Sequence, residues 1–573
     1  MTAQASIRPY LNQAYLLGLL MVVVGLTLSP FLMGMSQFWL VLVWLVDGLA
    51  SCRHCGLDPQ SPKHKESSPR MGDGGSLSAM TDRGFKAKIS RFWHNKAAVL
   101  LVTFYLMHVV GLLWTSDFQY ALKDLRVKLP ILVMPLVLSS MEPLDRKRFN
   151  FVMLVYVLSV FIATQFSFVS YLRHDYDDVR EISHFISHIR FCLNIVFSMA
   201  VIGYYLYRRR VSKSKGILVF GPKAVLDHFL MWFLLLWFAY MVFIFESLSG
   251  YVILAAVAIV SAVYAFLQWK KSRAWHIAVG AVALTVLVVG VVLVVHFVKP
   301  MLRVEPVDFA ALEKTTAQGN AYWHDTVYNP VEDGKFVGLY YCKKEMQEAW
   351  PQRSNLPFDG TTTNGESLEA TLARYLTSKD LRKDAQGVMA LTDEDVSNIE
   401  QGVANYNNWK HPGIHARLSS TLFEYNLYRR FNNPNGGSLS QRIEFTRASF
   451  HIIGQHPWFG VGTGDVPQAF AQTYDEIHSP LREEFRFRAH NQYLAIAVAF
   501  GLVGLAFFLF VLFYPWLASK RNHSYLYLVF LFIMLLSMFP EDTLETQAGS
   551  TLFAFFGALL LFAKPAPESS LRA

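Results

Sequence analysis

Charge is what this sequence has least of. Lys, Arg, Asp and Glu make up 17% of its 573 residues, where soluble domains carry about a quarter. Cysteine is scarce too. Cys52, Cys55, Cys192 and Cys342 are the full set, and only Cys342 lies in the one long hydrophilic stretch. A disulfide framework is therefore not expected, even in an oxidising compartment. Cys52-Arg53-His54-Cys55 falls short of the four ligands of a structural zinc, so this pair reads as incidental. The first apolar run, Ala14 to Phe31, is not followed by a small-residue cleavage site and a soluble domain. It reads as a retained span rather than a signal peptide. The formal net charge is +9, but most Lys and Arg lie in short loops between apolar runs, so a nucleic-acid partner is not expected.

Hydrophobic residues, by contrast, reach 53% and fall in long blocks such as Val152 to Phe168, Phe229 to Phe245 and Ile277 to Val298. About 20 helical residues cross a bilayer, and lipid offers backbone amides no partner, so spans of this kind must be helical. Hydropathy gives about twelve of them. Their centres are near Val22, Val41, Phe104, Met134, Leu158, Val196, Leu235, Ala256, Leu287, Phe500, Phe532 and Phe556. The span near Met134 is short and interrupted by Pro130 and Pro135.

Loop charge sets the orientation, because cytoplasmic loops accumulate Lys and Arg. Basic clusters occur at Arg83 to Lys96, Arg146-Lys147-Arg148, Arg208-Arg209-Arg210, Lys270-Lys271 and Lys520-Arg521, all on one side if the spans alternate. The opposite loops Glu246 to Gly250 and Glu541 to Gly549 carry no Lys or Arg. Both termini are then cytoplasmic. The expected architecture is an all-α polytopic protein of the inner membrane, with a large, mainly helical periplasmic segment between helices nine and ten. It divides into two spans at 1–50, a basic, disordered cytoplasmic loop at 51–96, seven spans at 97–298, the periplasmic segment at 299–488, three spans at 489–563 and a tail at 564–573. Within the periplasmic segment, Ser367 to Ser378, Thr392 to Tyr406 and Ser440 to Gly454 have helical periodicity. Asn432 to Gly437 reads as a turn-rich linker.

Three groups of residues could carry chemistry. His490-Asn491 stands where the external segment re-enters the membrane, ahead of Gly501 and Gly504, which are spaced for close helix approach. Gly454 to Asp465 alternates glycines, which fits either a structured loop or close approach to a ligand, and it lacks the strand and Lys-Ser/Thr of a nucleotide loop. Arginines and lysines on the external side form the third group. They are Arg126, Lys128, Arg173, Arg180, Arg190, Arg442, Arg447 and Arg488. A charge near membrane depth pairs or serves a ligand, and guanidinium binds phosphate bidentately. His184 and His188, near Asp175 to Asp178, have a spacing that a metal site could use, but interface histidines are common and no metal is assigned.

His490-Asn491, then nine residues, then Gly501-x-x-Gly504 resembles the signature of the bacterial O-antigen ligase and polymerase superfamily: His, then Asn, Ser or Gln, nine residues, and Gly-x-x-Gly. His456 to Gly464 looks like that family's block of a Pro followed by a glycine-alternating turn. Arg442, fifteen residues before Pro457, matches an upstream arginine. Ser187-His188-Ile189-Arg190 looks like the start of its middle spans. The family's external Ser-Arg pair has no counterpart at Glu246 to Gly250, so another arginine, with Arg190 the first choice, takes that role.

The resemblance implies a glycosyltransferase. It moves a glycan from undecaprenyl diphosphate to an acceptor hydroxyl, on the lipid A core or on a growing glycan. No cofactor is implied, and the partners are the lipid-linked donor, the acceptor and membrane lipids. It implies His490 as general base and Arg442 and Arg190 as stabilisers of the diphosphate, with Arg126, Lys128, Arg447, Arg488 and Asn491 binding substrate. A ligase, a polymerase and a protein oligosaccharyltransferase all remain open. A transporter of the lipid-linked glycan, the reading from another class, would place charges along many spans, and few are seen.

Overall fold

The computed structural model describes residues 2–52, 84–173, 179–212, 224–267, 303–435, 437–518 and 524–563, with isolated residues elsewhere. The chain is mostly helical. Among the described residues, six helical stretches are long and apolar enough to cross a membrane: Arg8–Leu28, Pro30–Leu49, Lys96–Trp114, Arg146–Arg173, His188–Arg208 and Gln492–Leu517. They hold the expected centres at Val22, Val41, Phe104, Leu158, Val196 and Phe500. Shorter apolar helices at His228–Ile244, Leu248–Tyr264, Tyr525–Ser537 and Gln547–Leu561 hold four more. The expected span near Leu287, the 53–83 loop and the 564–573 tail lie outside the described residues.

The Met134 segment differs from its expectation. Phe118–Ser140 is one helix that runs through both Pro130 and Pro135. Both prolines are buried, with Ile131, Met134, Val137 and Leu138 beside them. Packing against Gln547–Leu561 and Lys96–Val110 offsets the amide bonds the prolines cannot make. Lys123, Asp124, Arg126 and Lys128 fall on its second and third turns.

The 299–488 stretch consists of two parts. Residues from 303 to 410 form short helices around their own core of Trp350, Leu368, Leu372, Tyr375, Leu376 and Ile399. Ser367 caps Leu368–Ser378, and Thr392 with Asp395 forms a capping box on Asp393–Glu400. The periodicity from Thr392 to Tyr406 is not one helix. It ends at Gln401, and Asn405 caps a new one, Tyr406–Lys410. The second part belongs with the membrane helices. Phe445, Ala448, Ile452, Phe470 and Tyr474 join the main core, and Ser438–Gln455 packs on Gln492–Leu517.

Gln492–Leu517 is a broken helix. Gly501 has φ 67 and ψ −168, a conformation open essentially to glycine alone. The break frees backbone groups at membrane depth, and the loop after Ser438–Gln455 satisfies them. Val461 N donates to Val498 O at 3.0 Å, Gly462 N to Ala499 O at 2.9 Å and Leu502 N to Pro457 O at 2.8 Å. The two backbones touch: a Cβ on Gly460 would stand 2.4 Å from Phe500 N, and one on Gly501 2.3 Å from the Trp458 carbonyl carbon. Asp465 pins the far end of the loop by accepting from Ser116 N at 2.9 Å and Asp117 N at 2.8 Å. The alternating glycines therefore serve backbone-to-backbone packing, the structured-loop alternative.

Candidate active site

Five elements converge at the start of Gln492–Leu517. They are the first turns of Phe118–Ser140, the start of His188–Ser212, Ser438–Gln455, the residues before Gln492, and the loop between Tyr525–Ser537 and Gln547–Leu561. All but Ser438–Gln455, together with Val466–Glu476, enclose a cavity of about 850 Å³ whose wall includes Lys123, Arg190, Arg488, His490, Glu541 and Asp542.

His490 has φ 45, a left-handed backbone that costs a non-glycine residue about 1–3 kcal/mol and marks functional sites when the surroundings enforce it. Here they do. Asn491 caps the helix through Leu494 N at 3.0 Å and donates to Phe539 O at 2.9 Å. Gln492 N donates to Met538 O at 2.9 Å. The ring lies 5.4 Å from Phe445 and 6.1 Å from Phe487. Its Nδ1 is enclosed, without a hydrogen-bond partner among the described residues, and lies 3.9 Å from Glu541 Oε2. Nε2 is then the nitrogen left to the cavity. A carboxylate near Nδ1 favours the tautomer with its proton on that nitrogen, which leaves Nε2 bare.

Glu541 links His490 to an arginine, since its Oε1 accepts from Arg442 Nη2 at 3.0 Å. Burial alone would raise the Glu541 carboxyl, but His490, Arg442 and Arg190 together hold it below its ordinary value. Asp542 is raised, because burial outweighs the Arg488 guanidinium 3.0 Å away. Glu545, by contrast, is pushed down. Burial would raise it, but Lys128 at 2.7 Å and Arg488 at 3.4 Å prevail. Gln492 also donates to Glu545, at 3.1 Å.

Of the residues singled out from sequence, His490, Arg442, Arg190 and Arg488 meet here. Arg190 donates from Nη1 to Ser187 Oγ at 2.9 Å. The Nε–H groups of Arg190 and Arg442 are enclosed without partners among the described residues. The other expected binders are placed elsewhere. Lys128 lies beneath the cavity, buried and bonded to Asp124 and Glu545. Arg126 is exposed on another face of its helix. Arg447 is 56% exposed and faces Glu444 at 3.8 Å. The Asn491 side chain is engaged with its own helix start and Phe539. His184 Nε2 meets Ser170 Oγ at 2.7 Å, and Asp175 to Asp178 lie outside the described residues.

Sequence reasoning missed Glu541, Asp542, Glu545 and Lys123. The signal for the acids was present: three carboxylates in one loop of a chain short of charge. The loop's lack of Lys and Arg, a sign of orientation, leaves those carboxylates without a local partner. His490, Glu541 and Asp542 have donor atoms within 4.8 Å of one another, as a cation site would require. Arg442 and Arg488 already supply positive charge to those two carboxylates at 3.0 Å, so a His–carboxylate–Arg network is the better description.

Residues 413–509 match the family model for O-antigen ligase. The match shows that this stretch is similar to that family. The matched segment contains Arg442, the glycine-alternating loop, His490 and the Gly501 break. The chain's apolar helices fit a multi-pass membrane protein. No curated protein matches it.

Proposed function

We propose that the chain transfers a glycan from undecaprenyl diphosphate to a hydroxyl of the lipid A core, at the periplasmic face of the inner membrane. The observation that carries this reading is the content of one cavity. Its wall joins a histidine with a bare Nε2, held against Glu541, to Arg190; Arg442 grips the same Glu541 from outside the wall, and both arginines have unmatched Nε–H groups. Orphaned buried donors of this kind are satisfied by a ligand or water, and guanidinium suits a diphosphate.

In the proposed reaction the acceptor hydroxyl gives its proton to His490 Nε2 as its oxygen attacks the anomeric carbon. The bond from that carbon to the diphosphate oxygen breaks, and its electron pair leaves with the diphosphate. Attack from the opposite face inverts the anomeric configuration. Glu541 stabilises the imidazolium as it forms. Arg190 and Arg442, with Lys123 at the wall, take up the charge growing on the leaving group without reorganising. An apolar groove of about 380 Å³, lined by Val110, Phe459, Val503 and Phe507, gives the isoprenoid chain a place beside the break at Gly501.

The test is transfer by the purified protein from a lipid-diphosphate oligosaccharide, offered either lipid A core or a second lipid-linked repeat as acceptor. Product is expected on the lipid A core and none with His490→Ala. Product only on the second repeat would make the protein a polymerase, and full activity of His490→Ala would overturn the mechanism.

A further inference from the structure

Adjoining the cavity, and sharing Tyr120, Asp124, Phe470, Arg488 and Glu545 with its wall, lies a small chamber of about 20 Å³ that is also walled by His108 and Lys128. His108 is on Lys96–Val110 and only 2% exposed. Its ring is fixed edge-on between Phe104 at 5.0 Å and Phe500 at 4.7 Å. Its Nδ1 is 3.0 Å from Phe104 O. A carbonyl only accepts, so the proton is on Nδ1, and Nε2 of the neutral ring is an acceptor. That Nε2 is buried with no partner among the described residues, and it lies within electrostatic reach of Lys128 and Glu545.

Another residue of the chamber wall has the complementary deficit. Lys128 Nζ carries three N–H groups. One goes to Asp124 and one to Glu545, and no third acceptor is bonded to it among the described residues. An orphan acceptor and an orphan donor thus face one chamber whose remaining wall is largely apolar, with Val466, Phe470, Ile496 and Phe500. About 10–15 Å³ of space holds one water, provided it has two to four polar partners.

We infer that this chamber binds a single water, which accepts the third Lys128 N–H and donates to His108 Nε2. Through it His108 acts as a positioning residue. The water holds Lys128 in place, Lys128 holds Glu545, and Glu545 accepts from Arg488 and Gln492. Those two residues stand on either side of His490 in the chain. The water site rests on geometry alone, whereas its kinetic consequence rests on the function proposed above.

The first measurement is a density map of the full-length protein in lipid nanodiscs, at a resolution that shows ordered water. A discrete peak between His108 Nε2 and Lys128 Nζ is expected. An empty chamber, or a direct contact between the two nitrogens, overturns the site. The second measurement is kinetic. His108→Phe removes the acceptor and should lower kcat about tenfold with KM unchanged, the size typical of supporting residues. His108→Gln restores an acceptor and should recover most of that loss. Wild-type kcat in His108→Phe, or no recovery in His108→Gln, overturns the positioning role. If His490→Ala also remained active, the proposed reaction would fail, but the water peak would still decide the site.

Discussion

The replacement Glu541→Gln isolates the electrostatic part of the proposed mechanism. Glutamine keeps the size and keeps an oxygen for Arg442 Nη2, now 3.0 Å from Oε1, so packing changes little. What disappears is a negative charge 3.9 Å from His490 Nδ1. Before reaction the imidazole is neutral and feels that charge weakly. Once it has taken the acceptor's proton it is an imidazolium, and at an effective dielectric of about 20 the attraction is about 4 kcal/mol. His490 is 34% exposed, and Arg442 on the same carboxylate opposes the effect. Solvent screening and that opposition reduce it to about 2–3 kcal/mol, or ~30- to 150-fold in rate.

Because the interaction grows only as charge develops, the loss should appear in kcat and leave KM nearly unchanged. Glu541 is held below its ordinary value, so its charge is fully present above the usual carboxylate range and is lost only as pH falls through the depressed value. The deficit of Glu541→Gln should therefore be constant from about pH 6 to 8. Steady-state transfer with saturating acceptor measures it. An activity within threefold of wild type, alongside an inactive His490→Ala, would refute the reasoning, and so would a loss confined to KM.

Three further substitutions test the arginine assignment and the external segment. Arg190→Lys should lower kcat/KM by ~10- to 100-fold, because an ammonium cannot reproduce the planar fork. Arg126→Ala should stay within twofold, because Arg126 is exposed away from the cavity; equal losses in the two, measured on one donor, would undo the site assignment. Lys383 is buried, its ammonium bonded to Leu339 O at 2.9 Å, and burial lowers it from 10.5 to about 8. The folded protein then carries a cost of about 3 kcal/mol that is complete below pH 8 and is relieved as pH rises from about 8 to 10.5. Lys383→Met should raise the apparent Tm at neutral pH and abolish that rise, and an unchanged thermal scan would count against it.

Sequence made the helices legible, because apolar runs and capping residues are local. Ser367 and Thr392 cap the helices their positions suggest. Charge proved harder to place. Lys128 read as a ligand for phosphate, yet Asp124 one turn before it bonds to it, and that i, i+4 pair was visible in the chain. Glu545, 417 residues away, completes the pair, and no local pattern could have supplied it. The partner of His490 was hidden in the same way. Glu541 is brought to it by Tyr525–Ser537 folding back along the bundle, a long-range contact between residues that hydropathy treats as separate. The break at Gly501 escaped detection for the opposite reason. Its neighbours Phe500 and Leu502 are apolar, so the run reads as one continuous span.

That break explains the nine-residue interval between His490-Asn491 and Gly501. The interval is the first half of the broken helix, about 14 Å at 1.5 Å per residue, and it is fixed at both ends. Above, Asn491 and Gln492 are tied to Phe539 and Met538. Below, Val498 and Ala499 carbonyls are tied to Val461 and Gly462. A helix clamped twice cannot absorb an extra residue. One alanine inserted after Ile496 would add about 1.5 Å and rotate one end against the other by about 100°. If the loop keeps its grip on the break, the rotation falls on His490 and swings it from Glu541 and Arg190. The insertion adds no charge and no bulk to the cavity, so the protein should still enter the membrane and bind donor while transfer falls to the level of His490→Ala. Donor binding by the purified variant and its transfer rate separate the two effects. Retained transfer would mean that the interval does not set the position of the histidine.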